Sequence, residues 1–173
     1  SAAALLPESG STCLYLGSSS GGTVSHIHDN VCGADNHHGG QVVAVDISPR
    51  MMRDLVKLAE RRPGLVPVLG DARNPMVIAP YLRGKAEWLH QDLSIGDQAE
   101  TFVRMTSAFL ADGGTALLSL KAASERWMEG GDDARYQHTK GLIENCEHLD
   151  LIEVIDISVF EEQHAVFHCV RIP

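Results

Sequence analysis

Short apolar runs alternate with helix-period segments along this chain, and the last two apolar runs have no helix between them. The runs at 13–16 (CLYL), 41–46 (QVVAVD), 65–69 (LVPVL), 86–89 (AEWL) and 115–120 (TALLSL) read as strands. QVVAVD has almost no polar alternation, the mark of a parallel strand covered on both faces. Helices are predicted at about 23–30, after Ser48-Pro49, in a short stretch ending near Leu82, at 97–110 and at about 133–146. Ser48 suits an N-cap and Pro49 the first helical position. Pro63-Gly64 stops that helix. In the 97–110 helix, Phe102, Met105, Phe109 and Leu110 fall on the side expected to be buried, and Gly113-Gly114 is expected to end it. The runs at 151–158 and 165–172 flank Glu161-Glu162-Gln163-His164 and read as a hairpin. This order predicts an α/β fold: a doubly wound, mostly parallel, seven-stranded Rossmann-like sheet with an antiparallel terminal strand. No repeat or linker interrupts the 173 residues, so a single domain over 1–173 is expected.

Charge narrows the function classes. Fourteen Lys+Arg against 23 Asp+Glu give a formal net charge of −9. That argues against indiscriminate phosphate binding, which depends on cations releasing counterions. No Lys or Arg precedes Arg50, and then Arg50, Arg53, Lys57, Arg61 and Arg62 follow closely. Arg50, Arg53, Lys57 and Arg61 are spaced for one helical face, either an RNA or partner surface or a solvated one. No apolar run approaches the ~20 residues of a membrane span. No basic segment precedes an apolar stretch, so neither a membrane nor a signal peptide is expected, and Ser1 reads as a processed or trimmed start.

The four cysteines form no C-x-x-C pair. Cys13 and Cys169 lie in apolar runs and read as small buried hydrophobes in a reducing compartment. His26, His28, Cys32, His37 and His38 are close in sequence, but zinc needs about four converging ligands. Two histidines two apart leave a helix on different sides, so no metal is expected.

In a doubly wound sheet, ligands bind beyond the carboxyl ends of the strands. The polar outliers sit at such ends. Gly17-Ser18-Ser19-Ser20-Gly21-Gly22 follows the first strand and precedes a helix. Glycines admit close backbone approach there, and a helix N-terminus favours negative charge. The loop is neither G-x-G-x-x-G nor a P-loop. Asp46 ends the second strand, where an acid can accept hydrogen bonds from ribose hydroxyls. Asp71, Asp92 and Lys121 end the third, fourth and fifth.

These residues carry a resemblance. Leu14-Tyr15-Leu16-Gly17, the Ser/Gly loop and Thr23-Val24-Ser25-His26 resemble the glycine loop of fibrillarin-type methyltransferases, L-Y-L-G-A-A-S-G-T-T-V-S-H. Val43-Ala44-Val45-Asp46-Ile47-Ser48 resembles A-V-E-F-S, while Arg53-Asp54-Leu55 and Leu58-Ala59 resemble the R-D-L-x-x-L-A helix. Asp71-Ala72-Arg73-Asn74-Pro75 resembles D-A-R-x-P, and Asp92-Leu93-Ser94-Ile95-Gly96-Asp97-Gln98 resembles D-V-A-Q-P-D-Q. Leu118-Ser119-Leu120-Lys121-Ala122 resembles I-S-I-K-A, and EEQHAV at 161–166 resembles E-R-D-H-A-V. Seven colinear motifs cover nearly the whole chain.

The resemblance implies an S-adenosyl-L-methionine (SAM) enzyme that methylates RNA ribose 2′-hydroxyls, on rRNA or tRNA. It implies a guide ribonucleoprotein with guide RNA, target RNA, a Nop-type scaffold protein and a kink-turn-binding protein. The location would be nucleolar in a eukaryote and cytoplasmic in a prokaryote or archaeon. By similarity, Gly17, Ser18, Gly22, Thr23, Asp46, Ile47, Asp71, Ala72, Asp92, Leu93, Ser94 and Ile95 line the SAM pocket. Asp92, Lys121 and His164 match three members of a Lys-Asp-Lys-His catalytic set. The family's first catalytic lysine lies in R-S-K-L-A-A-A, whereas this chain opens Ser1-Ala2-Ala3-Ala4-Leu5-Leu6 without it, so the 173 residues are expected to correspond to the methyltransferase domain without the family's N-terminal domain. Asp46 stands for a Glu, Gly22 for a Thr and Ile95 for a Gln. Two other readings stay open at this point: a catalytically silent assembly module, and a SAM enzyme acting on a protein glutamine.

Overall fold

The computed structural model describes residues 5–125, 127–160 and 164–173. Seven strands form one sheet: β1 (Thr12–Leu16), β2 (Gln41–Asp46), β3 (Leu65–Leu69), β4 (Ala86–Gln91), β5 (Leu110–Lys121), β6 (Leu149–Asp156) and β7 (His164–Arg171). Their order is β3-β2-β1-β4-β5-β7-β6. The first five run parallel, and β7 pairs antiparallel with both β5 and β6. The expected doubly wound sheet with a terminal hairpin is therefore present. The strand order reverses between β1 and β4, which places a crevice beyond their carboxyl ends.

Period-two alternation builds a core on each face. Leu14, Leu16, Val43, Val45, Leu89, Leu118 and Leu120 meet Phe102, Met105 and Ile143 on one side. Cys13, Tyr15, Val42, Ala44, Trp88 and Leu117 meet Val24, Ile27, Val31, Met52 and Leu55 on the other. The helices are α1 (Gly22–Val31), α2 (Pro49–Ala59), α3 (Pro75–Ile78), α4 (Gln98–Phe109) and α5 (Gly131–Glu144). Ser48 caps α2 by accepting from the Met51 amide, and Pro49 opens the helix, as the sequence requires. Cys13 and Cys169 are fully buried, and burial pushes each thiol up to about 12.

Three local expectations need correction. Gly113-Gly114 does not end α4. The helix stops at Phe109, and β5 begins at once with buried Leu110, which pairs with Ala86. The next pairing is Trp88 with Thr115, so the diglycine forms an irregularity inside the strand, with Gly113 at φ 76°. Arg61 lies beyond α2, because the helix ends at Ala59 and Glu60 caps it. Only Arg50, Arg53 and Lys57 share the helix, and all are exposed. Finally, β6 starts at Leu149 rather than 151, because Leu149 is buried opposite Arg171.

His28 is buried, with its Nε2 on the Pro63 carbonyl at 2.9 Å and Arg62 against its other nitrogen at 3.3 Å. Among the described residues, no helix is long and apolar enough to cross a membrane.

Candidate active site

A cleft of roughly 340 Å³ lies beyond the carboxyl ends of β1 to β5. It is lined by Gly17, Ser19, Asp46, Ile47, Asp71, Ala72, Arg73, Asp92, Leu93, Ser94, Ile95 and Lys121. Ten of these come from the strand-end motifs already singled out for cofactor or catalytic roles.

The β1 turn shapes its floor. Gly17 has φ 88°, and a Cβ there would collide with the Asp92 carbonyl. Only glycine lets β1 and β4 end side by side at this point. Asp92 N donates to the Leu16 carbonyl at 2.8 Å and closes the same junction. Asp46 ties the turn to β2. Its Oδ2 accepts from the Ser19 amide at 2.8 Å and its Oδ1 from the Ser48 amide at 2.9 Å. Each oxygen takes one amide, which leaves acceptor capacity toward the cleft. Ile47, next along, is 65% exposed and offers an apolar wall.

Asp71 is held by Arg73. The guanidinium reaches Oδ1 at 3.1 Å and Oδ2 at 2.9 Å, and the Arg73 amide adds a bond to Oδ1 at 2.9 Å. These bonds hold the Asp71 carboxyl below the usual carboxylate range. The spacing is local: residue 73 folds back onto residue 71 in the turn that Asn74 and Pro75 convert into α3.

The catalytic candidates converge. Lys121 Nζ lies 3.0 Å from Asp92 Oδ1 and donates to Ser94 Oγ at 3.2 Å. His164 is directly opposite Lys121 in the β5–β7 ladder, so both project from the same face of the sheet. Glu161, Glu162 and Gln163, which complete the EEQHAV motif, lie outside the described residues, as do Ser1 to Ala4.

Three expected pocket residues do not line the cleft. Ser18 is buried in the turn. Gly22 and Thr23 open α1 on the exposed side. Ser19 takes the place assigned to Ser18, reaching it through a positive φ of 53°. Arg73 also lines the cleft. Its closeness to Asp71 in sequence was the available signal.

Behind the site lies buried polar structure that sequence reasoning passed over. Gln98, fully buried at the start of α4, grips the Lys121 backbone. Its Oε1 accepts from Lys121 N at 2.9 Å, and its Nε2 donates to Lys121 O at 3.0 Å. Gln91 Nε2 donates to the Gln98 carbonyl at 2.8 Å. Glu125 accepts from the Gln98 amide at 3.1 Å, and burial raises its carboxyl pKa. His90 lies against Tyr15 and Trp88 with Nε2 on Ser119 Oγ at 2.8 Å, and burial pushes its pKa down to about 4.

The Fibrillarin family model matches residues 3–172. The chain belongs to the fibrillarin family. A fibrillarin-like rRNA/tRNA 2′-O-methyltransferase of Methanopyrus kandleri is 32% identical over 157 residues, covering 91% of this chain and 64% of that protein. The chain thus spans just under two thirds of that relative's length. The Methanococcus jannaschii fibrillarin pre-rRNA processing protein superposes with a TM-score of 0.83 at 30% identity, covering 95% of this chain and 67% of that one. Aeropyrum pernix fibrillarin, solved with natively bound S-adenosyl-L-methionine, superposes with a TM-score of 0.79 at 30% identity, over 94% of this chain and 67% of that one. The fibrillarin fold explains why the strand-end motifs, far apart in sequence, meet at one sheet edge.

Proposed function

We propose that this fibrillarin-family chain is a SAM-dependent RNA ribose 2′-O-methyltransferase acting on rRNA, with tRNA as a second substrate class. The observation that carries the reading is the Asp92–Lys121 pair at the mouth of the cleft, 3.0 Å apart. A ribose hydroxyl holds its proton tightly, so its attack on a methyl donor needs a hydrogen-bond acceptor and a nearby positive charge. Asp92 accepts the hydroxyl proton's hydrogen bond. Lys121 offsets the negative charge that develops on the oxygen. His164, facing Lys121, fixes the geometry from the hairpin.

The cleft fits SAM. Asp46 has free acceptor capacity for ribose hydroxyls, Gly17 lets the chain approach closely, and Ile47 gives an apolar wall for a purine. Asp71 and Ala72 lie on the same wall as Arg73. SAM, when bound, supplies an electrophilic methyl group. The protein's part is to place the hydroxyl and shift its proton.

Family membership supports a guide ribonucleoprotein as the setting, with a Nop-type scaffold, a kink-turn-binding protein and guide RNA selecting the target. Arg50, Arg53 and Lys57, exposed on α2, are the surface we assign to that assembly. Delegated targeting reconciles a net charge of −9 with an RNA substrate. Calorimetry with SAM tests the pocket. Wild type binds, and Asp46→Ala binds more weakly. Absence of binding by wild type, or equal affinity in the variant, would overturn the assignment.

A further inference from the structure

Six residues past Lys121, the indole of Trp127 stands 59% exposed beside the cleft. Lone exposed apolar side chains are ordinary, but this one is fastened. Its Nε1–H donates to the Gly96 carbonyl and to Glu125 Oε2 at 2.8 Å. His138 packs edge-on against it, with ring centroids 5.7 Å apart at 87°. Gly96 directly follows Ile95, a residue of the cleft wall.

The fastening continues inward. Glu125 is only 2% exposed, and its other oxygen accepts from the Gln98 amide at 3.1 Å and from Gln98 Nε2 at 3.3 Å. Gln98 in turn holds both backbone groups of Lys121. A buried chain of hydrogen bonds therefore runs from the exposed indole through Glu125 and Gln98 to the lysine that pairs with Asp92. Burying a carboxylate and an amide has a large desolvation cost unless they are bonded this fully. The bonds fasten the indole to the strand end that carries Lys121.

We propose that Trp127 is a stacking platform for an unpaired RNA nucleobase beside the methylated ribose, held in register with Lys121 by Glu125 and Gln98. The proposal rests on the RNA-methylating reading above. Stacking suits this chain. Every base has a π-face, and the contact needs no cations, which an acidic protein has few of. A base resting on Trp127 restricts where its neighbouring ribose hydroxyl can sit relative to Asp92.

The chain holds two tryptophans, and the other, Trp88, is 2% exposed, so a change in emission on adding a ligand reports mainly on Trp127. Oligoadenylate added to the full chain quenches the emission. A ribose-phosphate oligomer without bases does not. Trp127→Ala weakens oligoadenylate binding about tenfold, raises the KM for RNA and lowers kcat, while SAM affinity stays near wild type. Trp127→Phe, which keeps a π-face but loses the indole N–H, restores most of that loss. Four results would overturn the proposal: no quenching by oligoadenylate; equal quenching by the base-free oligomer; a phenylalanine variant as weak as alanine; or quenching by a Nop-type protein alone. If oligoadenylate quenches as described but wild type transfers no methyl group, the platform stands and the methyltransferase reading falls.

Discussion

Lys121 touches Asp92 at 3.0 Å and faces His164 across the β5–β7 ladder, so one lysine joins the carboxyl end of β4 to the terminal hairpin. Each partner arrives on a different strand. The parallel β4–β5 pairing brings the acid, and the antiparallel β5–β7 pairing brings the histidine. Replacing Lys121 with Met removes the cation and keeps the bulk. Methyl transfer should fall by about 10²-fold or more, with SAM affinity near wild type. The pair is about a third exposed, at 34% for Asp92 and 28% for Lys121, so stability should change by only about 1 kcal/mol or less. A rate assay alongside thermal unfolding checks both.

The glycine loop makes a contrasting pair. Gly17→Ala forces a side chain into φ 88° and against the Asp92 carbonyl. It should cost about 1–3 kcal/mol and impair SAM binding. Gly22→Ala meets nothing within 4 Å and has no positive φ, so both properties should survive. Denaturant unfolding and calorimetry on the two variants decide this.

His90 gives the fold an acid sensitivity. Its pKa is pushed down to about 4 from 6.5 by burial, so the folded state prefers the neutral ring. Its stabilisation is complete above the unfolded value and is lost as pH falls through 6.5 toward 4, where the folded ring also protonates. The loss is on the order of 3 kcal/mol at most. Unfolding curves between pH 7 and about 4 should be flatter for His90→Gln than for wild type. Parallel curves would contradict the burial argument.

Arg53→Glu with Lys57→Glu should weaken assembly with a Nop-type scaffold and guide RNA while leaving SAM binding intact. Both side chains are exposed on α2, so the fold should tolerate the change. Pull-down of the particle, with calorimetry as control, reads the two effects separately.

Much of this was legible in the sequence because parallel strands advertise themselves. QVVAVD is short, β-branched and apolar, and Val42, Val43, Ala44 and Val45 are all buried in the strand it forms. The acids at the strand ends stood out as polar breaks in apolar runs, and the sheet brings them to one edge. What escaped was set by tertiary geometry. Gly113-Gly114 looks like a helix stop but sits within β5, because Leu110 finds a buried partner in Ala86 first. Gln98 and Glu125 look like ordinary polar residues, and only the packing shows them braced behind Lys121. Ser19 rather than Ser18 meets the cleft because the turn places residue 19 at φ 53°, which no local pattern announces.

The most direct test of the account is single-turnover transfer of a labelled methyl group from SAM to guide-paired RNA in the assembled particle, comparing wild type with Asp92→Asn. The substitution keeps the side chain's shape and removes the acceptor charge beside Lys121. The rate should fall by about 10²–10⁴-fold with SAM still bound. Equal label in wild type and variant would contradict the role assigned to Asp92.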